Sequence, residues 1–430
     1  MLNKIQSLEM RKINRAIRVS LRAILIVFIL IIVLLRGLIW FTERSEKYSD
    51  LYLPSCESKT ENPKYLNQIQ TARRHLFAMM KERDLPSASI AVSKNGKIIW
   101  TEAFGYADLE KRIIACPSTQ YRIQSVSKPL SALAMAKLYD HGKLDIDEDI
   151  RRYVPEFTDK GYKITPRLLA THRSGIRNYR DDFETLEAKN YDSLIEGLNQ
   201  FIDDPLEFVP GERFQYSTFN YWLLNAVIER ASTMPFQKYM QDHIFRPLGM
   251  TLTTVTTSSV TFPNQAHCYD NVTPYSTDGS MVNSPPYPPS YLYEISTAED
   301  LVRFANSLSS ASKSGLIKEV TQEMLFEPRS RHMFLIGYGM GWMSARDLHL
   351  RKAHFHFGAG SGGTSFLIIF PEQNVNFAIL SNLGHAKFPF ERLMGIANPF
   401  LYSPTRVVFN LLLFMLFAVL GIRIFKRNKK

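Results

Sequence analysis

Cysteine is scarce: the 430 residues hold three, Cys56, Cys116 and Cys268. None stands in a Cys-x-x-Cys spacing, so neither a structural zinc site nor a dense disulfide framework organises the chain. Three cysteines permit one bridge with one thiol left over, and their positions do not say which pair would close it. Charge is scarce too, once its position is considered. Residues 1–22 carry Lys4, Arg11, Lys12, Arg15, Arg18 and Arg22 against Glu9, and Arg423 to Lys430 adds five more basic side chains; these tails supply +10 of the net +11 and leave +1 for residues 23–422. A nucleic-acid surface needs basic charge spread over a folded face, so no nucleic-acid partner is expected. The pattern Gly-x-Ser-x-Gly is absent, which removes the usual α/β-hydrolase elbow. Gly358-Ala-Gly360-Ser-Gly-Gly363 fits Gly-x-Gly-x-x-Gly, yet it precedes a strand pattern instead of opening a helix, so it does not imply a dinucleotide. His354 and His356 share a strand face with no third ligand spaced near them; a structural pair is expected, with no metal and no cofactor.

What is present centres on Tyr121-Arg-Ile-Gln-Ser125-Val-Ser-Lys128-Pro129. Ser125 and Lys128 are three apart, which on a helix places them on one face, about 5–6 Å between Cβ atoms, within reach of a hydroxyl–amine contact. Pro129 is tolerated only in a helix's first turn, which fixes the N-terminus near Ser125, where unpaired N–H groups favour a developing negative charge. Leu130, Leu133, Ala134 and Leu138 follow at helical spacing up to His141-Gly142. A second Ser-x-x-Lys, Ser310 to Lys313, sits in a Ser-rich run that breaks at Ser314-Gly315 and reads as a loop.

Residues 23–41 form an apolar run long enough for a membrane anchor, with the basic residues 1–22 as a cytoplasmic tail. Residues 42–62 read as a polar linker and 63–400 as the folded domain. The run 407–422 reads as a second transmembrane helix, with the basic tail 423–430 also cytoplasmic. That topology puts the domain outside a cell membrane or in the periplasm, against the bilayer. The Arg-rich, acid-poor start leaves a mitochondrial membrane as the alternative. Within the domain, a helix from Tyr65 to Arg83 precedes a hairpin, Ser89 to Thr101, turned at Asn95-Gly96. A mostly helical middle follows, and Ser296-Thr-Ala-Glu299 reads as a capping box. Residues 258–293, rich in Pro, Ser, Tyr and Asn, read as a long loop. Strand patterns return at Gly339–Ser344, Ser365–Phe370 and Val375–Leu380. The expectation is an α/β (α+β) fold: one antiparallel sheet flanked by helices, with a helical insert and terminal transmembrane helices.

Five stretches resemble, in order, the serine β-lactamase-like hydrolases, the group of class C β-lactamases, D-alanyl-D-alanine carboxypeptidases and related esterases. They are Ser125-x-x-Lys128, Leu168-Leu-x-His172-x-Ser174-Gly175, Pro210-Gly211 followed by Tyr216-Ser-Thr218, Pro247-Leu-Gly-Met250, and His356-Phe-Gly358. The resemblance implies a β-lactamase/transpeptidase-like fold over about residues 65–390. It implies Ser125 as acylated nucleophile, Lys128 as a buried amine that takes or relays the proton, and Tyr216 as its acid–base partner. Backbone N–H groups of Ser125 and Ala359 would form the oxyanion hole, with Gly358 allowing close approach. Thr218 stands where many members have Asn, and His356 where the lactamases have Lys, so the carboxylate-binding side of the site differs. This implies an esterase or peptidase acting on a small molecule or peptide over an efficient β-lactamase. The alternative is a tethered structural or peptidoglycan-binding protein that keeps the fold without turnover.

Overall fold

The computed structural model describes residues 53–57, 59–180, 193–256, 262–269, 293–309, 315–333, 335–347 and 350–401. Residues from both ends of this span build one antiparallel sheet. From the N-terminal side come β1 (Thr60–Glu61), β2 (Ser87–Lys94), β3 (Lys97–Asp108) and the short β4 (Ile113–Ile114). Between them and the rest of the sheet lies the insert, with its own three-stranded sheet of β5 (Tyr121–Arg122), β6 (Thr254–Thr256) and β7 (Tyr293–Ser296), ordered β5-β7-β6. From the C-terminal side come β8 (Ser330–Met333), β9 (Ile336–Tyr338), β10 (Met343–Arg346), β11 (Lys352–Gly360), β12 (Gly363–Phe370) and β13 (Val375–Ser381). The large sheet runs β1-β3-β2-β13-β12-β11-β10-β9-β8, with β4 on β3. The expected hairpin is β2–β3: Asn95 and Gly96 both take positive φ, 52° and 74°, as a two-residue turn of this kind requires.

Alternation along the strands sends side chains into two cores. Phe366, Ile368, Phe377 and Ile379 face one side, where α1 (Leu66–Glu82) contributes Ile69, Leu76 and Met79. Leu367, Ile369, Ala378 and Leu380 face the other, toward α2 (Ser127–Asp140), whose Leu130 and Leu133 are fully buried. The insert adds α3 (Pro166–Ala170), α4 (Leu194–Leu198), α5 (Thr218–Ser232) and α6 (Phe236–Met240). Next come α7 (Ala298–Ser307) and α8 (Glu319–Phe326); α9 (Phe390–Leu401) returns to pack beside α1. Each fully buried Leu or Ile contributes about 1.5–3 kcal/mol, so the site-bearing helix α2 is held by its own apolar face.

Three expectations are corrected or refined. Terminal transmembrane helices are not part of the described fold: among the described residues no helix is long and apolar enough to cross a membrane. The longest, α1, has 17 residues and carries Arg73, Arg74, Lys81 and Glu82, an amphipathic surface helix rather than an apolar span. The runs 23–41 and 407–422 lie outside the described residues, as do Ser310 to Lys313 and most of 258–293. The capping box shifts by one residue. Thr297, not Ser296, caps α7, accepting the Asp300 N–H at 3.1 Å, because the Ser296 hydroxyl is engaged by Thr253 at 2.7 Å. The disulfide that composition left open joins Cys56 to Cys116, Cα atoms 5.0 Å apart, and ties the segment before β1 to the loop after β4.

Candidate active site

Ser125 lies in a 3-10 turn, Gln124–Val126, immediately before α2, so the nucleophile candidate precedes the α-helix instead of opening it. The turn keeps the i, i+3 relation: Lys128 Nζ donates to Ser125 Oγ at 3.1 Å. Ser125 is half-buried, while Lys128 is only 3% exposed. The amine also lies over the rings of Tyr216 and Tyr221, 5.1 and 5.5 Å from their centroids.

The backbone just before Ser125 is strained and clamped. Gln124 takes φ 50°, in the left-handed region that costs a non-glycine residue about 1–2 kcal/mol. Its side chain donates to the Ser361 carbonyl at 2.7 Å, and Ser365 Oγ donates to the Ile123 carbonyl at 2.6 Å. Both anchors belong to the β11–β12 hairpin. Gly358 is required there: a Cβ would run into the Ile123 carbonyl and Ser365 Oγ. The hairpin therefore seats against the segment carrying the nucleophile, with Ala359 exposed on β11 one residue further on.

Tyr216 and Thr218 arrive from the loop before α5. Gln215 N–H bonds the His172 carbonyl at 2.9 Å, Ser217 N–H bonds His172 Nδ1 at 3.2 Å, and Thr218 N–H bonds Asn178 Oδ1 at 2.9 Å. The Tyr216 ring packs on the His172 ring with centroids 4.3 Å apart, which fixes it beside Lys128. The structure thus brings Ser125, Lys128 and Tyr216 together, with Gly358 adjoining through Ile123 and Gln124.

His356 is placed differently from what its sequence position implies. It is 1% exposed; Nδ1 lies 2.7 Å from the Phe357 carbonyl and Nε2 lies 3.1 Å from Tyr338 Oη. A carbonyl only accepts, so Nδ1 carries the proton and Nε2 accepts from the phenol. His172 has the opposite tautomer, because Nδ1 accepts the Ser217 N–H and Nε2 therefore donates to Tyr338 Oη at 3.1 Å. One hydroxyl thus joins two buried imidazoles. Burial holds the Tyr338 and Tyr221 phenols well above the ordinary tyrosine range, and the Tyr221 hydroxyl donates to the Ala170 carbonyl at 2.9 Å. His354, on the same strand face as His356, stacks on Phe326 at 4.0 Å and bonds Ser344 Oγ at 2.7 Å; burial lowers it to about 3.

Sequence reasoning missed Tyr338, Tyr221 and Glu294. Glu294 sits on β7, 8% exposed, and burial, opposed by the charge of Lys128, pushes its carboxyl up to about 7. No motif in the sequence singles these three residues out.

The beta-lactamase family model matches residues 72–397. The chain belongs to the beta-lactamase family. It is similar to the human serine beta-lactamase-like protein LACTB, mitochondrial, at 30% identity over 404 residues, covering 72% of this chain and 73% of that protein. It is also similar to protein flp of Staphylococcus aureus strain MRSA252, at 29% identity over 339 residues, covering 75% of this chain and 64% of that protein. Among solved structures, the octameric penicillin-binding protein homologue from Pyrococcus abyssi aligns with a TM-score of 0.67 and 25% identity over 76% of each chain. A penicillin-binding protein from Bacillus halodurans shares the fold at a TM-score of 0.64 and 24% identity, over 75% of this chain and 98% of that one. At family level, this is the fold of serine hydrolases that work through an acyl-enzyme.

Proposed function

We propose that Ser125 is the acylated nucleophile, Lys128 its proton acceptor and Tyr216 the acid–base partner, acting on an uncharged ester or amide acyl donor, a small molecule or a peptide. The observation that carries the reading is the 3.1 Å contact from Lys128 Nζ to Ser125 Oγ in a site where the amine is 3% exposed. An ordinary serine hydroxyl is a weak nucleophile, and a buried base within hydrogen-bond reach is what activates it. In the reaction, Oγ bonds to the substrate carbonyl carbon as its proton passes to Lys128. Collapse expels the alcohol or amine, which takes that proton through Tyr216, and a water then repeats the sequence to release the acid. N–H groups of Ser125 and Ala359 are assigned to the oxyanion, a device worth about 3–4 kcal/mol per donor.

The uncharged substrate is supported by His356. Both of its ring nitrogens are occupied within the core, at Phe357 and Tyr338, so this position offers no exposed cation to a substrate carboxylate. Esters and neutral amides suit such a site better than β-lactams or peptides ending in a free D-amino acid. For location, the mitochondrial compartment in the names of the human, bovine and mouse relatives is the one we assign, and the Arg-rich residues 1–22 support it.

Labelling with a fluorophosphonate tests the reading. One covalent adduct that maps to Ser125, abolished by Ser125→Ala, is expected. A folded protein that fails to react with several such probes, or carries the label elsewhere, overturns it in favour of a binding protein that keeps the fold without turnover.

A further inference from the structure

Gly358 and Gly360 lie on one face of β11, and neither takes a positive φ, so backbone conformation does not call for glycine at either position. What the pair makes room for is Gln124. A Cβ on Gly358 would come within 3.1 Å of Gln124 Cβ, and a Cβ on Gly360 within 2.5 Å of Gln124 Oε1 and 2.9 Å of Cδ. The glutamine side chain therefore lies along β11 from Gly358 to Gly360, behind the peptide of Ala359, and ends by donating to the Ser361 carbonyl at 2.7 Å in the hairpin turn. Its backbone end is held as well: the Ile123 N–H bonds the Glu294 carbonyl at 3.1 Å, and the Ile123 carbonyl accepts from Ser365 Oγ at 2.6 Å. Gln124 itself sits at φ 50°, a conformation open to glycine and costly for any residue with a side chain. The position carries that strain together with a carboxamide that reaches across to the opposite strand.

We infer that Gln124 is a positioning residue of acyl transfer: its carboxamide latches the turn carrying Ser125 to the strand carrying Ala359 and so fixes the spacing of the two N–H groups assigned to the oxyanion. The inference rests on the roles proposed above for Ser125 and Ala359. As Oγ bonds to the substrate carbonyl carbon, the carbonyl π pair moves to oxygen, and both donors must meet that atom at once. One donor sits on the nucleophile's own turn, and the other arrives on a strand from the far end of the domain. Two hydrogen bonds join these elements, and they bracket Ala359. Ser365, which binds Ile123, stands opposite Gly358, and Ser361, which binds Gln124, follows Gly360. A single bond would leave the hairpin free to pivot on the turn; the second removes that rotation. A shift of about 1 Å in a positioned group costs on the order of 10²-fold in rate, so the restraint bears directly on acylation. Gln124 neither touches the substrate nor exchanges a proton.

The test uses the full chain, an activated ester and a fluorophosphonate. Gln124→Ala removes the carboxamide and keeps the strained φ, Gln124→Gly removes both, and Gln124→Glu keeps the length but loses the donor, because an ionised carboxylate only accepts. All three are expected to lower kcat and kcat/KM together by on the order of 10–100-fold, since an oxyanion contact is made only in the transition state and outright loss of one donor costs about 10²–10³-fold. Gln124→Gly should melt no lower than Gln124→Ala and still be slow, which separates the latch from the stability of the turn. Gly360→Ala, whose methyl meets the carboxamide oxygen, should slow the wild type yet add little to Gln124→Ala, where that space is open. If Gln124→Ala does not fold, Gln124→Glu carries the comparison. Fluorophosphonate labelling of the same samples separates the two readings. No label at Ser125 in wild type sinks the site assignment. A wild type labelled at Ser125 whose kcat is matched by the Gln124 variants, or fully additive losses in the Gly360 pair, overturns the latch alone.

Discussion

The Tyr338 hydroxyl donates a hydrogen bond to His356 Nε2 at 3.1 Å, while the same oxygen accepts from His172 Nε2. Through the packing of His172 against Tyr216, this buried bridge supports from behind the tyrosine we propose as acid–base partner. It also explains why a histidine occupies a position where the lactamases have lysine: a neutral ring that both donates and accepts completes the bridge, whereas a buried ammonium has no acceptor site and only donates.

Tyr338→Phe removes the hydroxyl both rings share. Losing a buried partner costs about 1–3 kcal/mol, so the melting temperature should fall by roughly 5 °C, read by calorimetry. Labelling of Ser125 should persist, since the hydroxyl touches neither Ser125 nor Lys128. An unchanged melting temperature would show that the bridge contributes nothing to stability.

Tyr216→Phe keeps the ring that packs on His172 and deletes only the hydroxyl. A loss of about 10²–10⁴-fold in kcat with an unchanged melting temperature is expected for a positioned acid–base group. Steady-state kinetics on an activated ester decide it. Full turnover in the variant would mean that Lys128 moves the proton alone.

Gly358→Ala should damage acylation more than stability. The added methyl meets the Ile123 carbonyl and Gln124 Cβ, so relief of the overlap must move the turn that carries Ser125. Overpacking of this kind costs about 1–3 kcal/mol. Gly96→Ala is the contrast. At φ 74°, with nothing within 4 Å of a new Cβ, it strains only the hairpin turn, and the labelling rate should stay at the wild-type value.

Two buried carboxyls set a pH dependence of stability. Burial raises Glu294 to about 7 and Asp300 to about 6, the latter opposed by hydrogen bonds from Thr253 and Leu252. A carboxyl with a raised folded-state value binds its proton more tightly when folded, so its contribution is complete below about pH 4 and is lost as pH rises toward 6 to 7. Glu294→Gln should therefore gain stability over wild type progressively between pH 5 and 7, then hold a constant difference, on the order of 3 kcal/mol at most. Denaturant midpoints across that range check the sign; a variant that loses stability above pH 7 contradicts it.

By itself the sequence determined what local rules control. The Asn95-Gly96 turn, the apolar stripes of α1 and α2, the strands at both ends of the domain and the Ser125 to Lys128 spacing are all written within a few residues of one another. Short-range sterics and helical periodicity suffice to read them. Tertiary structure alone decided the rest. The pairing of Cys56 with Cys116 needs the chain to bring residues 60 apart to within bonding reach. The withdrawal of His356 into the core depends on Tyr338, which arrives on a different strand. The burial of Glu294 depends on β7 pairing with β5, two strands separated by most of the insert. Charge, burial and tautomer are properties of such non-local neighbours, and no pattern along the chain encodes them.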